Sequence, residues 1–499
     1  MGTRIFKTIF GAALLALAPL VGYAAEGTVT AALQSDMPSL DASVDSSPNG
    51  HNYRLNIYDQ LTEIAADGSL APKLATSWES SPDAVTWTFT IRQGVKFHDG
   101  SALTPDDIVW TFHKILADTK SPVRTYASKV KTVEVVAADK IRFTLVEPYS
   151  LFDRQLALIY ILPRKAYEAM GATQFGITPV GSGPFKLVKW VKDDHIEMEA
   201  FDGYWGGAPK IKTAILRPIP AEPSRANALI SGEIDIVPAL PVTLVERLGS
   251  VKGIKVETAE GYREVFLGFN VEHSALANIK LRQAIDLAVD RNVITSKLLR
   301  GLGRPSGQML SPASFGFDPS IKPTEQDVAR AKRLVAESGY KGEMIPFQYP
   351  TTGLSSSNEV AQAVAGYLTA VGINTDMQGM DYNAFLAMWA QRKVTALYLF
   401  AFGSSILDAD STLTALYEKG SRGYWISDEV DALSRQQRAE RDPEKRKAII
   451  GKIWRLSQES AAFVPLYSEI QAQGLSERVN WTPRPDGILR FLYVTAGRK

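Results

Sequence analysis

Between residues 85 and 91 the chain alternates. Val85, Trp87, Phe89 and Ile91 are large and apolar, and Thr86, Thr88 and Thr90 stand between them. A period of two puts the apolar side chains on one sheet face and the threonines on the other. Arg92-Gln93-Gly94 breaks that strand, and Asp99-Gly100 marks a second turn. At Thr104-Pro105-Asp106-Asp107 the period changes. Thr104 suits a helix cap, Pro105 the first helical position, and the two acids the positive end of the helix dipole. Ile108, Phe112, Ile115 and Leu116 then recur at helical spacing as a buried stripe. Trp87 and Trp110 read as core. His98 and His113 read as structural, because no histidine or cysteine stands at metal-ligand spacing from them.

The same two periods organise the rest. Residues 29–33 predict a strand and 52–61 a helix. Segments 133–136 and 141–146 predict a hairpin about Asp139-Lys140, and 185–190 with 196–200 another about Asp193-Asp194. Residues 211–219 read as a strand, 223–231 as a short helix stopped by Gly232, and Val265, Leu267 and Phe269 as a strand. From Asn278 helices dominate: 281–290, 327–338 before Gly339, 357–370 before Gly372, and 382–391. Strands intervene at 345–349 and 395–400. Asp442-Pro443 opens an amphipathic helix to about 460, and 463–470 is a strand. Strands alternating with helices imply an open, largely parallel sheet.

A chain of 499 residues is too long for one core, so two or three domains are expected. The first two dozen residues differ from the rest. Arg4 and Lys7 precede an apolar run over 9–20, which is too short to span a bilayer, and Gly22-Tyr23-Ala24 supplies small residues for cleavage after Ala24. That is the pattern of a secretory signal over 1–24. The chain has no cysteine, so it offers no lipid attachment point and no disulfide. The expectation is a free protein of a Gram-negative periplasm. Without Arg4 and Lys7, 53 basic residues face 54 acidic ones, a net of −1, which argues against a nucleic-acid partner.

Reactive constellations do not emerge. None of His51, His98, His113, His195 and His273 stands in H-E-x-x-H, no Walker A pattern occurs, and Gly181-Ser182-Gly183 is a turn, not a nucleophile elbow. Asp408-Ala409-Asp410 is the nearest approach to paired carboxylates, and acids at that spacing are usually turn or cap residues. A secreted hydrolase is therefore the weaker alternative. No metal or cofactor is expected.

Several motifs occur in one order along most of the chain. They are the stretch 70–115, Pro179-Val180-Gly181-Ser182-Gly183-Pro184-Phe185, Tyr204 to Ile211 (YWGGAPKI), Leu229 to Asp235 (LISGEID), Phe269-Asn270, Leu281 to Ile285 (LRQAI) and Asp290-Arg291. Together they resemble the bacterial extracellular solute-binding proteins of the dipeptide/oligopeptide class (family 5), which feed ABC importers. The resemblance implies an α/β fold of the type II periplasmic binding protein kind, with two lobes joined by two crossing strands and an extra α+β domain on the first lobe. It assigns 25–70, 180–268 and 470–499 to the first lobe, 71–179 to the additional domain and 269–469 to the second lobe. The crossings are expected near Gly268-Phe269-Asn270 and near 466–473, where a few residues absorb hinge rotation.

The implied role is a monomeric receptor that closes on a small solute and hands it to inner-membrane permease subunits. A receptor signalling to a chemotaxis sensor would share the same cleft. Four segments are candidates for the site. Gln34 to Met37, with Asp36, ends the first strand. Tyr262-Arg263 precedes the first crossing, and Arg263 suits either a ligand carboxylate or phosphate or a surface or interlobe salt bridge. Phe402-Gly403-Ser404-Ser405 combines close backbone approach with hydroxyls, and Arg422-Gly423-Tyr424-Trp425 offers aromatic faces. Trp389 reads as core.

Peptide-binding members of the family capture the peptide amine with an aspartate shortly before an Asp-Pro-Asp run. Here Ser404, Ser405, Ile406 and Leu407 precede Asp408-Ala409-Asp410, and that carboxylate is missing unless Asp36 or Asp408 replaces it. The ligand is expected to be a peptide or peptide-like solute, with an opine, sugar conjugate or oligosaccharide close behind.

Overall fold

Two strands are longer than their patterns suggested. Ile254–Phe269 runs for 16 residues and Phe463–Ser476 for 14, against expectations that began near 265 and ended near 470. In this computed structural model, which describes residues 27–497, the two pair antiparallel along most of their length. The signal read over 1–24 lies outside the described residues. At one end Phe463–Ser476 pairs with Ile236–Leu240, which continues through Thr28–Leu33 and Thr213–Pro218 to the hairpin Phe185–Val191/His195–Ala200. At the other end Ile254–Phe269 pairs with Leu397–Gly403, followed by Ile345–Pro350 and Thr375–Met380. The result is one ten-stranded path, with Gly303–Pro305 pairing off it onto Phe463–Ser476 as the eleventh strand of the sheet. The expected largely parallel sheet is instead mixed: the outer groups hold the parallel pairs, and the crossing strands and the hairpin are antiparallel. Local periodicity reports strand existence, whereas strand direction depends on partners far along the chain.

Separate cores flank this path. Tyr53, Tyr58, Phe185, Leu216 and Phe491 fill one side of the first group. Leu267, Ile285, Phe347 and Val364 fill one face of the second group, and Phe266, Trp389, Phe400 and Trp454 the other. A further four-stranded antiparallel sheet is formed by Ala75–Ser80, Thr86–Ile91, Lys140–Leu145 and Val130–Ala137. Its core centres on Phe89, Phe112, Phe143 and Phe152, with ring centroids 4.8 to 5.7 Å apart in successive edge-on contacts. The alternation over 85–91 thus closes a core of its own.

Trp110 on the helix Pro105–Ala117 reaches out of that core, its ring 5.3 Å from Tyr167 of the first group. His98 also joins the two. Its Nδ1 accepts from the Gly181 N–H at 3.2 Å, so Nε2 carries the proton and donates to the Gly183 carbonyl at 3.0 Å. Burial lowers its pKa to about 4.

The helix expected over 52–61 begins earlier, as Pro48–Ile57. Ser47 caps it by accepting from the Gly50 N–H, Pro48 occupies the first turn, and the chain becomes extended at Tyr58. Gly268 and Phe269 pair within the second group, and Asn270 donates to the Val394 carbonyl at 2.8 Å. The ladder between the crossing strands breaks nearer the first group. Glu260 pairs with Ile470 and Glu264 with Ser468, so residues 261–263 stand opposite Glu469. A bulge of this kind bends a strand and re-aims its side chains.

Candidate functional site

Three parallel strands, Ile345–Pro350, Thr375–Met380 and Leu397–Gly403, end on one edge of the second lobe. Ligands of open α/β sheets bind outside such carboxyl ends. The bulge joins this edge, because Arg263 pairs with Gly403. Two glycines allow the approach. A Cβ on Gly403 would lie 2.6 Å from the Tyr262 ring and carbonyl, and one on Gly261 would lie 2.8 Å from the Glu469 carbonyl oxygen.

The bulge carries Tyr262 and Arg263. Burial raises the Tyr262 pKa, and the charges on Glu469 and Asp486 push it the same way. Arg263 Nε lies 3.6 Å from Glu469 Oε2. Burial is the largest single influence and opposes the guanidinium charge, but Glu469 together with Tyr262, Tyr382 and Tyr467 outweighs it and the pKa rises. Beside them Glu264 is buried between the crossing strands. Ser468 Oγ donates to its Oε2 at 2.6 Å, while its Oε1 has no partner among the described residues. Burial pushes its carboxyl well above the usual carboxylate range.

The turn after Gly403 reaches across to the first lobe. Leu407, at φ +50°, sets its side chain against Ile64 and Ala157, with Tyr262 and Leu70 alongside. Arg154 of the additional domain donates to the Ile406 carbonyl through Nε at 3.1 Å and Nη2 at 2.7 Å, and to the Gly68 carbonyl at 2.7 Å. One guanidinium therefore ties three segments of the chain. Ser405 is exposed in this turn, and Phe402 is half-buried at its start. Ser404 is buried, and its Oγ accepts from the Asp408 N–H at 3.1 Å.

Asp408 is 1% exposed and forms a two-pronged pair with Arg446, whose Nη1 donates to Oδ2 at 2.7 Å and Nη2 to Oδ1 at 2.5 Å. Asp410 is held by Gln437 and Arg438. Neither carboxylate is left over for a ligand amine. Asp36 is similarly engaged: it accepts from the Asp193 N–H at 2.7 Å and from Trp190 Nε1 at 3.2 Å, with Lys192 Nζ at 3.3 Å. It fastens the 185–200 hairpin to the end of the first strand, where Gln34 is exposed.

The segment 422–425 packs around Trp389 and Val394. Tyr424 is buried, and its hydroxyl accepts from the Val394 N–H at 2.8 Å, near the start of the strand that ends at Gly403. Arg422 is exposed and lies over Trp389, which is buried as expected, and Trp425 packs edge-on to Tyr417. The structure thus gathers Tyr262, Arg263, Phe402, Gly403 and Ser405 and leaves Tyr424 in the core. Sequence reasoning passed over Glu469, Arg154 and Leu407. Glu469 was visible only as an acid inside an apolar strand, a mild signal. Arg154 and Leu407 gave none, because their partners are remote in sequence.

A small-solute clamp, two lobes on crossing strands with a bulge between them, is the class this geometry defines. The family model for bacterial extracellular solute-binding proteins, family 5 Middle, matches residues 69–424, and the chain belongs to that family. It is a substrate-binding component of an ABC importer. It is similar to the dipeptide-binding protein of Escherichia coli K12, 27% identical over 402 residues, covering 72% of this chain and 74% of that one. Heme-binding protein A of Haemophilus influenzae is 25% identical over 479 residues, 89% of this chain and 87% of its own. The fold matches that of the ABC transporter substrate-binding protein CtaP of Listeria monocytogenes with a TM-score of 0.86 at 23% identity, covering 95% of this chain and all of the other. No helix among the described residues is long and apolar enough to cross a membrane.

Proposed function

We propose that this chain is a periplasmic, non-enzymatic receptor that closes on one peptide-like solute between its lobes and delivers it as a monomer to an inner-membrane permease. The crossing strands carry the bulge at 261–263. The first lobe comprises 25–70, 180–268 and 470–499, the second 269–469, and 71–179 forms the additional domain. The observation that carries this reading is the three-way tie at Arg154 and Leu407, which joins both lobes and the additional domain beside the half-buried Tyr262-Arg263 floor. A solute touching both walls binds the closed form better and shifts the population towards it.

The ligand is not held by the family's amine-capturing aspartate, since Asp408 and Asp410 are committed to Arg446 and Arg438. A polyhydroxylated conjugate, opine or sugar, is the second reading, favoured by the exposed Thr352, Ser355 and Ser405 at the same edge. Thermal shift of the purified protein against dipeptides, γ-glutamyl peptides, opines and plant sugars tests both. A solute at a hundredfold its Kd stabilises the fold by about 2.7 kcal/mol and should reduce the radius of gyration in solution scattering. No shift and no compaction with any of them would refute the receptor reading, and turnover of a chromogenic ester or glycoside would replace it with the hydrolase.

A further inference from the structure

We propose that Arg263 and Glu469 together receive a zwitterionic α-amino-acid head group, one whose ammonium and carboxylate share a carbon. This rests on the receptor reading and names the chemistry of its floor. The two side chains are 25% and 14% exposed, yet they are poorly hydrogen-bonded. Their closest approach, 3.6 Å, is beyond a hydrogen bond. Arg263 reaches one acceptor, the Gly353 carbonyl, at 3.5 Å, and no donor among the described residues reaches the Glu469 carboxylate.

Fully buried pairs elsewhere in the chain are far better satisfied. Arg446 grips Asp408 with two donors and Gln437 with more, and Arg438 grips Asp410 while Gln437 donates to the same oxygen. A guanidinium has five donors and a carboxylate about four acceptor positions. The unfilled positions are not sealed from solvent, since neither side chain has a buried polar atom without a partner, so a ligand can take them.

The position fits that role. Both residues lie on the crossing strands, at the bulge, beneath the turn that spans the lobes. Asp36, Asp408 and Asp410 are engaged elsewhere, so Glu469 is the carboxylate with room. A ligand carboxylate on Arg263 and its ammonium on Glu469 would set four charges in alternating order, each next to its opposite. A phosphate or dicarboxylate would meet Glu469 as a like charge, and a diamine would meet Arg263 in the same way. An ordinary dipeptide holds its ammonium and carboxylate too far apart to serve both groups of an adjacent pair.

γ-Glutamyl-leucine and α-glutamyl-leucine decide the matter, since they share composition and net charge and only the γ isomer carries the head group. Titration calorimetry should give the γ isomer a Kd at least about tenfold lower. Glu469→Gln and Arg263→Gln should each weaken it about ten- to hundredfold, and Arg263→Lys should recover part of the loss. Melting curves of the unliganded variants verify folding. Equal binding of the isomers, preference for the α isomer, or a γ-isomer affinity unmoved by both glutamine variants would overturn the assignment. If neither isomer binds, the solute from the wider panel that does bind decides. Loss in both variants for a solute bearing this head group supports the assignment, and any other result overturns it while the receptor reading stands. Absence of any bound solute removes both.

Discussion

Asp408→Asn separates a structural carboxylate from a ligand-binding one. In the wild type Asp408 is buried against Arg446, and its Oδ1 also accepts from the Asp410 N–H at 2.9 Å. Asparagine keeps the shape and one acceptor oxygen but removes the charge and turns an NH2 donor towards the Arg446 guanidinium, which stays buried without its counter-charge. Removing one partner of a buried pair costs about 3–5 kcal/mol. The lower end is expected here, because Gln437 still accepts three hydrogen bonds from Arg446. Arg446→Met should cost a similar amount by stranding the Asp408 carboxylate. The double variant should cost much less than the sum, since the stranded charge disappears. Urea unfolding followed by tryptophan fluorescence reads the change, Trp454 being buried in the adjoining core. Under conditions where the variant is folded, its affinity for any solute that shifts the wild type should stay within a few fold. A variant with wild-type urea resistance and more than about a hundredfold weaker binding would refute this argument and return Asp408 to the ligand.

Two further predictions follow from the same contacts. His98 has a folded-state pKa of about 4 against an ordinary 6.5, so the unfolded chain takes the proton first. Its contribution is complete above pH 6.5 and is lost as pH falls towards 4, about 3 kcal/mol in all; His98→Gln should flatten that part of a stability-against-pH curve, and an unchanged slope would contradict it. Arg154→Met removes hydrogen bonds to Ile406 and Gly68 across the interlobe contact and should open the unliganded protein, seen as a larger radius of gyration, whereas identical scattering would mean that Arg154 does not hold the lobes.

Much of the scaffold was legible because its signals are local. The 85–91 alternation, the Thr104-Pro105 helix start, the Gly339 stop at φ +76° and the Asp442-Pro443 cap are each written within a few residues, and the structure has strand, helices and termini there. Ordered motifs along the chain carried the family in the same way. The site was only partly legible. Tyr262, Arg263 and Gly403 stood at a strand start and a strand end, where pattern and glycine point to an edge, but Tyr424 looked equally available and is sealed by the Val394 N–H.

Length, period and caps determined the elements and the multi-core architecture, and the ordered motifs the class of protein. Tertiary structure alone decided which acids are free, where the crossing strands bulge, and that Arg154 and Leu407 tie the lobes. Those facts depend on remote partners, Arg154 and Ile406 being 252 positions apart, and no local pattern encodes a pairing at that distance.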